Sequence, residues 1–358
     1  MNRTRLDAVL ASMEKKGIPQ MIVSDPCAIF YLTGKWILPG ERMLALYLDL
    51  KGKHRLFINE LFPVEEDLGL DMVWYNDTQD PVPMLTKFTD HDGVMGVDKN
   101  WPARFLLKLM KSGGASDFVN GSEIVDKVRM CKDEMEKDLM RTSSKLNDSA
   151  MDRMIGLVPK KYTEKKMGKM LGDIWEELGA DGHSFDPIVG YGANAADPHH
   201  VMDDSLVKEG DCVIIDIGCR FQSYCSDMTR TVFYRSVSDH AREVYEIVRE
   251  ANMRGIEKVK AGVRFCDIDG AARDYITEKG YGKYFTHRLG HSIGIEDHEF
   301  GDVSPVNTDV VMPGQIFSIE PGIYLPGDIG VRIEDLVIAT EDGCEVLNGY
   351  TKDLIVVD

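Results

Sequence analysis

The stretch CVIIDIGCRFQSYCSDMTRTVF, residues 212–233, sets two acids, Asp216 and Asp227, inside sequence that otherwise reads as strand. β-Branched and aromatic residues dominate both flanks, and Gly218 to Ser223 is the only place for a reversal, so the stretch predicts an antiparallel hairpin. A reversal centred between Phe221 and Gln222 sets Asp216 directly opposite Asp227. Cross-strand partners carry their Cβ atoms about 4.5–5.5 Å apart, where like charges destabilise the pair unless something neutralises them. A cation between the two carboxylates is the simplest answer; two solvated acids on an exposed hairpin is the bland one.

The chain around this hairpin has 358 residues, enough for two cores. Residues 1–125 alternate short apolar runs, at 21–24, 44–50, 55–58, 72–75 and 94–97, with helical patterns, which predicts an α/β domain with a mixed sheet. No phosphate-binding glycine pattern follows any of these runs. From 126 to 358 the order changes to helix, helix, strands, then helix, helix, strands, a loose duplication. Asp133 followed by Glu136 opens the first helix as a capping box, with Met135, Leu139, Leu146, Ala150 and Leu157 expected on its buried side. Met135, Met140, Met151 and Met154 read as core filler. Thr163 caps the second helix, and further helices are expected at about 238–259 and 265–278.

A formal charge of −18 with no Lys/Arg-rich block excludes a nucleic-acid partner, and no apolar run approaches the length of a membrane span. The N-terminus is amphipathic and charged, unlike an export signal, and the seven scattered cysteines fit reduced thiols; a cytoplasmic protein is expected.

Three histidines, His287, His291 and His298, fall within THRLGHSIGIEDHEF, where Gly290 and Gly294 argue for an irregular strand and no H-E-x-x-H motif is present. In QIFSIEPGIYLPGDIGVRIEDLVIA, Glu320 closes one apolar strand and Glu334 lies in another; alternation points Arg332 and Glu334 one way and Asp335 the other. A charge inside such a strand is costly unless paired or metal-bound. Asp216, Asp227, His291, Glu320 and Glu334 together balance two divalent cations. Such pairs of ions activate water and polarise a carbonyl or phosphoryl group, which is hydrolase chemistry.

These motifs resemble the pita-bread metallopeptidase family, which includes proline dipeptidase (prolidase), Xaa-Pro aminopeptidase and methionine aminopeptidase. The resemblance covers nearly the whole chain and implies an α/β creatinase-type N-terminal domain at 1–125, and an α+β pita-bread catalytic domain with pseudo-twofold halves at 126–358. By resemblance, Asp216 of D-I-G is the first metal ligand and Asp227 of S-D-M-T-R-T a bridging one. His291 of G-H-S-I-G and Glu320 of S-I-E-P-G are further ligands, and Glu334 of V-R-I-E-D is the second bridge. His199 matches the family's proton-handling histidine, with His200 its neighbour, and His298 the one that contacts the scissile carbonyl. His287 and Arg332 match substrate-binding positions. Ser292, where glycine is usual, and Asp297, where an apolar residue is common, depart from the pattern.

The resemblance implies hydrolysis of Xaa-Pro bonds, with Glu320 shuttling a proton, two divalent ions, manganese first with cobalt, iron or zinc as alternatives, and Xaa-Pro dipeptides or short peptides as substrates. It implies a homodimer in which loop 34–42 overhangs the neighbouring site. The N-terminal domain sets the chain apart from methionine aminopeptidase, and the complete ligand set from creatinase. Alternatives are an Xaa-Pro aminopeptidase acting on longer peptides and a non-catalytic scaffold of the same fold, whose members have lost ligands.

Overall fold

A computed structural model describes residues 1–358, which form two compact units, Met1–Arg129 and Met130–Asp358. In the first, a six-stranded mixed sheet runs in the order Asp71–Tyr75, Arg55–Asn59, Ala45–Asp49, Gln20–Val23, Val94–Val97 and Asp117–Asn120. Val94–Val97 pairs parallel to its neighbours on both sides, whereas Gln20–Val23 and Ala45–Asp49 pair antiparallel, so the sheet is mixed as expected. Its last strand escapes sequence reading because it is a short edge with little buried surface. The helix Ser122–Met130 follows and runs through Val125.

In the second unit each half presents two helices and three antiparallel strands. The first half has helices Glu134–Leu157 and Glu164–Leu178 beside strands Ile188–Tyr191, Cys212–Ile217 and Met228–Tyr234. The second has helices Asp239–Lys258 and Phe265–Glu278 beside strands Gly290–Ser292, Ile316–Ile319 and Asp335–Ala339. The strand Cys212–Ile217 is buried on both faces. Val213, Ile215 and Ile217 pack with Met154, Leu171 and Trp175 of the first half, while Cys212 and Ile214 pack with Val244, Val248 and Phe317 of the second. Alternation therefore sends Asp216 to the face shared with the second half.

The hairpin differs from expectation by one residue at its turn. The reversal is centred between Gln222 and Ser223, whose φ values of 47° and 74° are both positive, as a two-residue type I′ loop requires. Asp216 consequently faces Thr229, not Asp227. Because the partner moves by two positions, parity is kept, and Asp227 stays on the same face as Asp216, diagonally placed.

The helix Glu134–Leu157 starts in a capping box, Asp133 accepting from the Glu136 N–H and Glu136 from the Asp133 N–H, each at 2.9 Å. Asp133→Ala is expected to lower unfolding free energy by about 0.5–2 kcal/mol in a denaturant titration. Its buried side is rotated from the expected one: Met140, Ser143, Ser144, Asn147, Ala150 and Met151 face inward, whereas Met135 is exposed and Leu139, Leu146 and Leu157 are half-buried. The polar residues on that face serve the sheet. Asn147 Nδ2 donates to the Ile217 carbonyl at 2.8 Å and Ser143 Oγ to the Cys219 carbonyl at 3.0 Å.

Candidate metal centre

The two halves meet where Glu334 follows the short strand Gly330–Arg332. The Glu334 N–H donates to the Thr229 carbonyl, and Arg230 Nη1 donates to the Glu334 carbonyl. Sequence alternation treats 330–339 as one strand, but the chain changes sheet at Ile333 and Glu334. Arg332 and Glu334 still share a direction, toward Asp216 and Asp227, and Asp335 lies elsewhere, bound by Arg230 Nη2 at 2.7 Å and Lys352 Nζ at 2.8 Å. His291 sits in the strand Gly290–Ser292, which presses so closely on its neighbour that a Cβ at Gly290 would overlap the Ser318 carbonyl. Glu320 comes directly after Ile316–Ile319, its N–H bonded to the Leu289 carbonyl at 2.8 Å.

These segments bring Asp216, Asp227, His291, Glu320 and Glu334 to one cavity of about 540 Å³, which His199, His287, Asp297, His298 and Arg332 also line. Ligating atoms of Asp227, His291 and Glu334 lie within 4.8 Å of one another. His291 Nε2 stands 3.5 Å from Asp227 Oδ2 and 3.6 Å from Glu320 Oε1, and its Nδ1 faces the Ser292 carbonyl at 3.2 Å, leaving Nε2 to act as donor to a metal.

The carboxylates are held in a way that separates their two oxygens. Asp216 Oδ2 accepts from Arg332 Nη2 at 2.5 Å, and Glu334 Oε2 from Thr229 Oγ1 at 2.7 Å. Asp216 Oδ1, Asp227 Oδ1 and Glu334 Oε1 are buried with no hydrogen-bond partner. An orphaned buried acceptor costs about 1–3 kcal/mol, more when charged. Burial and the neighbouring acids push Asp227 and Glu334 well above the carboxylate range, and burial raises Glu320 to about 7. Three partnerless oxygens beside one imidazole are a hard, oxygen-rich donor set, and divalent cations fit it.

Outside the ligand positions, Arg332 is fully engaged. Besides Asp216, its Nε donates to Thr229 Oγ1 at 3.0 Å and its Nη1 to Tyr324 Oη at 2.9 Å. His287 Nδ1–H donates to the Arg288 carbonyl at 2.7 Å, so Nε2 accepts from the Tyr324 hydroxyl at 2.9 Å. Burial and the Arg332 charge push the His287 pKa down to about 3, keeping it neutral. Thr229 lies inside S-D-M-T-R-T, but nothing local links it or Tyr324 to Arg332; only the fold brings them together. His298 lies against His291, with ring centroids 3.9 Å apart and the rings tilted by 56°, and is otherwise exposed. His199 is exposed on the loop after Gly192–Ala196, whereas His200 turns away, its Nε2 2.6 Å from the buried Glu164 Oε2.

With this geometry established, comparison with known proteins places the chain. Residues 138–341 match metallopeptidase family M24, and residues 5–131 match the creatinase/prolidase N-terminal domain. The chain belongs to metallopeptidase family M24. An uncharacterized peptidase of Staphylococcus aureus (strain MRSA252) is 32% identical over 353 residues, covering 98% of this chain and all of that one. The crystal structure of recombinant prolidase from Thermococcus sibiricus superposes with a TM-score of 0.92 at 31% identity, covering 99% of this chain and 98% of that one. Xaa-Pro dipeptidase from Bacillus anthracis superposes with a TM-score of 0.89 at 28% identity, covering 99% of both. The M24 domain thus comprises both halves of the second unit and contains all five candidate ligands. The pita-bread fold inferred from the motifs is the fold observed, and the chain is a metallopeptidase that uses divalent ions. Its seven cysteines are all free, and no helix is long and apolar enough to cross a membrane.

Proposed function

We propose that this M24 peptidase is a prolidase: it hydrolyses Xaa-Pro dipeptides with two divalent ions that Asp216, Asp227, His291, Glu320 and Glu334 would hold. The observation that carries the reading is the set of buried carboxylate oxygens left without partners around His291. Bound there, the ions supply an acidified water and polarise the scissile carbonyl. The proline preference rests on the likeness to enzymes described as prolidase and Xaa-Pro dipeptidase over nearly the full length of each. Proline lacks an N–H and fixes φ, so its imide bond needs a dedicated pocket. Phe185, Ile188 and Pro198 give the cavity an apolar wall for the ring.

Glu320, on the cavity wall beside His291, takes a proton from the attacking water and passes it to the imide nitrogen. His298, at the open side, donates to the oxygen that gains charge, and His199 faces the leaving proline across the cavity. His287 and Arg332 present the substrate-binding wall, Arg332 through the Asp216 carboxylate it holds. Manganese is the ion we assign, since four carboxylates and a single imidazole suit it; cobalt, iron and zinc are the alternatives. The free thiols support a reducing, cytoplasmic setting, and we assign a homodimer in which loop 34–42 reaches the neighbouring site.

The test is a panel of Xaa-Pro dipeptides assayed with chelator-treated enzyme and each metal. Manganese or cobalt should restore activity, and magnesium alone should not, because it gains little from an imidazole ligand. Full recovery with magnesium, or equal cleavage of dipeptides lacking proline, would overturn the assignment. Protein that binds no metal and cleaves nothing would be the scaffold.

A further inference from the structure

Between the short turn of helix Gly192–Ala196 and the strand Cys212–Ile217, residues 197–211 form neither helix nor strand, and this is the stretch that carries His199. It is thinly packed: Pro198 and His199 line the catalytic cavity, His199 to Met202 line a second cavity of about 590 Å³, and Val201 is 84% exposed. Where a segment has few buried apolar contacts, hydrogen bonds decide how firmly it is held. One carboxylate collects them. Glu164, the first residue of the helix Glu164–Leu178, is wholly buried. Upstream of His199, its Oε1 accepts from the Tyr191 N–H at 2.8 Å and from Asn194 Nδ2 at 3.0 Å. Downstream, its Oε2 accepts from the Asp203 N–H at 3.0 Å, and His200 Nε2 stands 2.6 Å from the same oxygen. A carboxylate met by donors on both oxygens only accepts, so the His200 ring carries a proton on Nε2. Between these anchors Asp197 closes a tight turn, its Oδ1 accepting from the His199 N–H at 3.0 Å and its carbonyl from the His200 N–H at 3.1 Å.

We propose that Glu164 is a positioning residue for the reaction: by gathering Tyr191, Asn194, His200 and Asp203 it fixes the turn that presents His199 to the leaving proline. The proposal rests on the part given to His199 above. Glu164 does not line the catalytic cavity, so it acts only through the turn. Glutamine at 164 keeps the shape but has a single acceptor oxygen, and its amide nitrogen must face two of the four donors.

The experiment measures kcat and KM for Leu-Pro in metal-loaded wild type, Glu164→Gln, His199→Ala and the double variant. Glu164→Gln should lower kcat about 10–100-fold with KM and metal content kept, as a displaced group does. The double variant should be no slower than His199→Ala, because a turn without its histidine has nothing left to aim. Losses that multiply in the double variant, or a Glu164→Gln with wild-type kcat, would overturn the proposal. The His200 side chain is 12% exposed and offers milder variants should Glu164→Gln fold poorly. His200→Ala should lower kcat, and His200→Gln, which keeps a donor near the place of Nε2, should recover most of it; equal losses count against the proposal. Amide hydrogen exchange across 197–205, read on the same proteins without substrate, should quicken about tenfold or more in Glu164→Gln. Unchanged exchange sinks the proposal whatever is cleaved. If exchange quickens but wild type cleaves no Xaa-Pro dipeptide, it is the Xaa-Pro reading that has failed, and the part given to Glu164 falls with it.

Discussion

Asp227→Asn is expected to lower bound metal and to cost more activity than the roughly 10–100-fold typical of losing an outer-shell partner, yet the metal-free variant should melt above metal-free wild type. On the proposed assignment, removing one carboxylate charge weakens the hold on the ions. Without ions, however, Asp227 is a buried acid beside Asp216 and Asp297, and burial with these neighbours raises its pKa well above the ordinary 3.8. Metal-free folded protein therefore binds that proton more tightly than unfolded protein does. The stabilising contribution is complete only below pH 3.8 and is lost as pH rises through the raised value. Asparagine avoids the loss, so the advantage in melting temperature should appear at neutral pH and shrink on acidification.

Asp335, 108 residues further along the chain and just past Glu334, supplies the control with the opposite sign. Burial raises its pKa, but Arg230 and Lys352 outweigh that and hold it below 3.8. Its contribution is present above pH 3.8 and lost as pH falls. Asp335→Asn should cost about 3–5 kcal/mol at pH 7, as breaking a buried pair does, and leave metal content unchanged. Thermal melts across pH, with elemental analysis of both variants, decide this; unaltered stoichiometry in Asp227→Asn would sink the ligand assignment.

Arg332→Lys should reduce kcat/KM by about 30–1,000-fold, the equivalent of some 2–4 kcal/mol, on dipeptides and longer peptides alike. The guanidinium reaches Asp216, Thr229 and Tyr324 with three different nitrogens. An ammonium has the charge but lacks the planar fork, and it cannot span the three sites. Thr229 in turn holds Glu334, so the lysine variant should loosen two carboxylates at once. Steady-state kinetics with Leu-Pro and Leu-Pro-Gly measures it. A loss confined to the dipeptide would mean that Arg332 instead takes the substrate carboxylate directly.

How far these features were legible in the sequence depended on whether the cause was local. Asp216, Asp227 and Glu334 stood out because an acid among β-branched residues needs an explanation wherever the strand goes. The Asp133 and Glu136 capping box is entirely local, and the structure contains it. The hairpin centre lies one residue beyond its expected place because Gln222 and Ser223, unlike Asn-Gly, do not advertise positive φ. The buried face of the helix Glu134–Leu157 departs from its apolar periodicity because Ser143 and Asn147 are buried for the sheet carbonyls they serve. Tyr324 gives no local sign of its role because its partners, Arg332 and His287, lie 8 and 37 residues away.

The division of the candidate ligands between the two halves has a cellular consequence. Asp216 and Asp227 come from the first half, His291, Glu320 and Glu334 from the second, and ligating atoms of Asp227, His291 and Glu334 lie within 4.8 Å of one another across the seam. Ions seated there clasp segments far apart in the chain and stabilise only the closed form, in proportion to the logarithm of their concentration. Starved of metal, the chain keeps its repelling acids and opens more often, and it is the open form that proteases cut. Metal supply would then govern not only how fast each molecule turns over substrate but how long it survives.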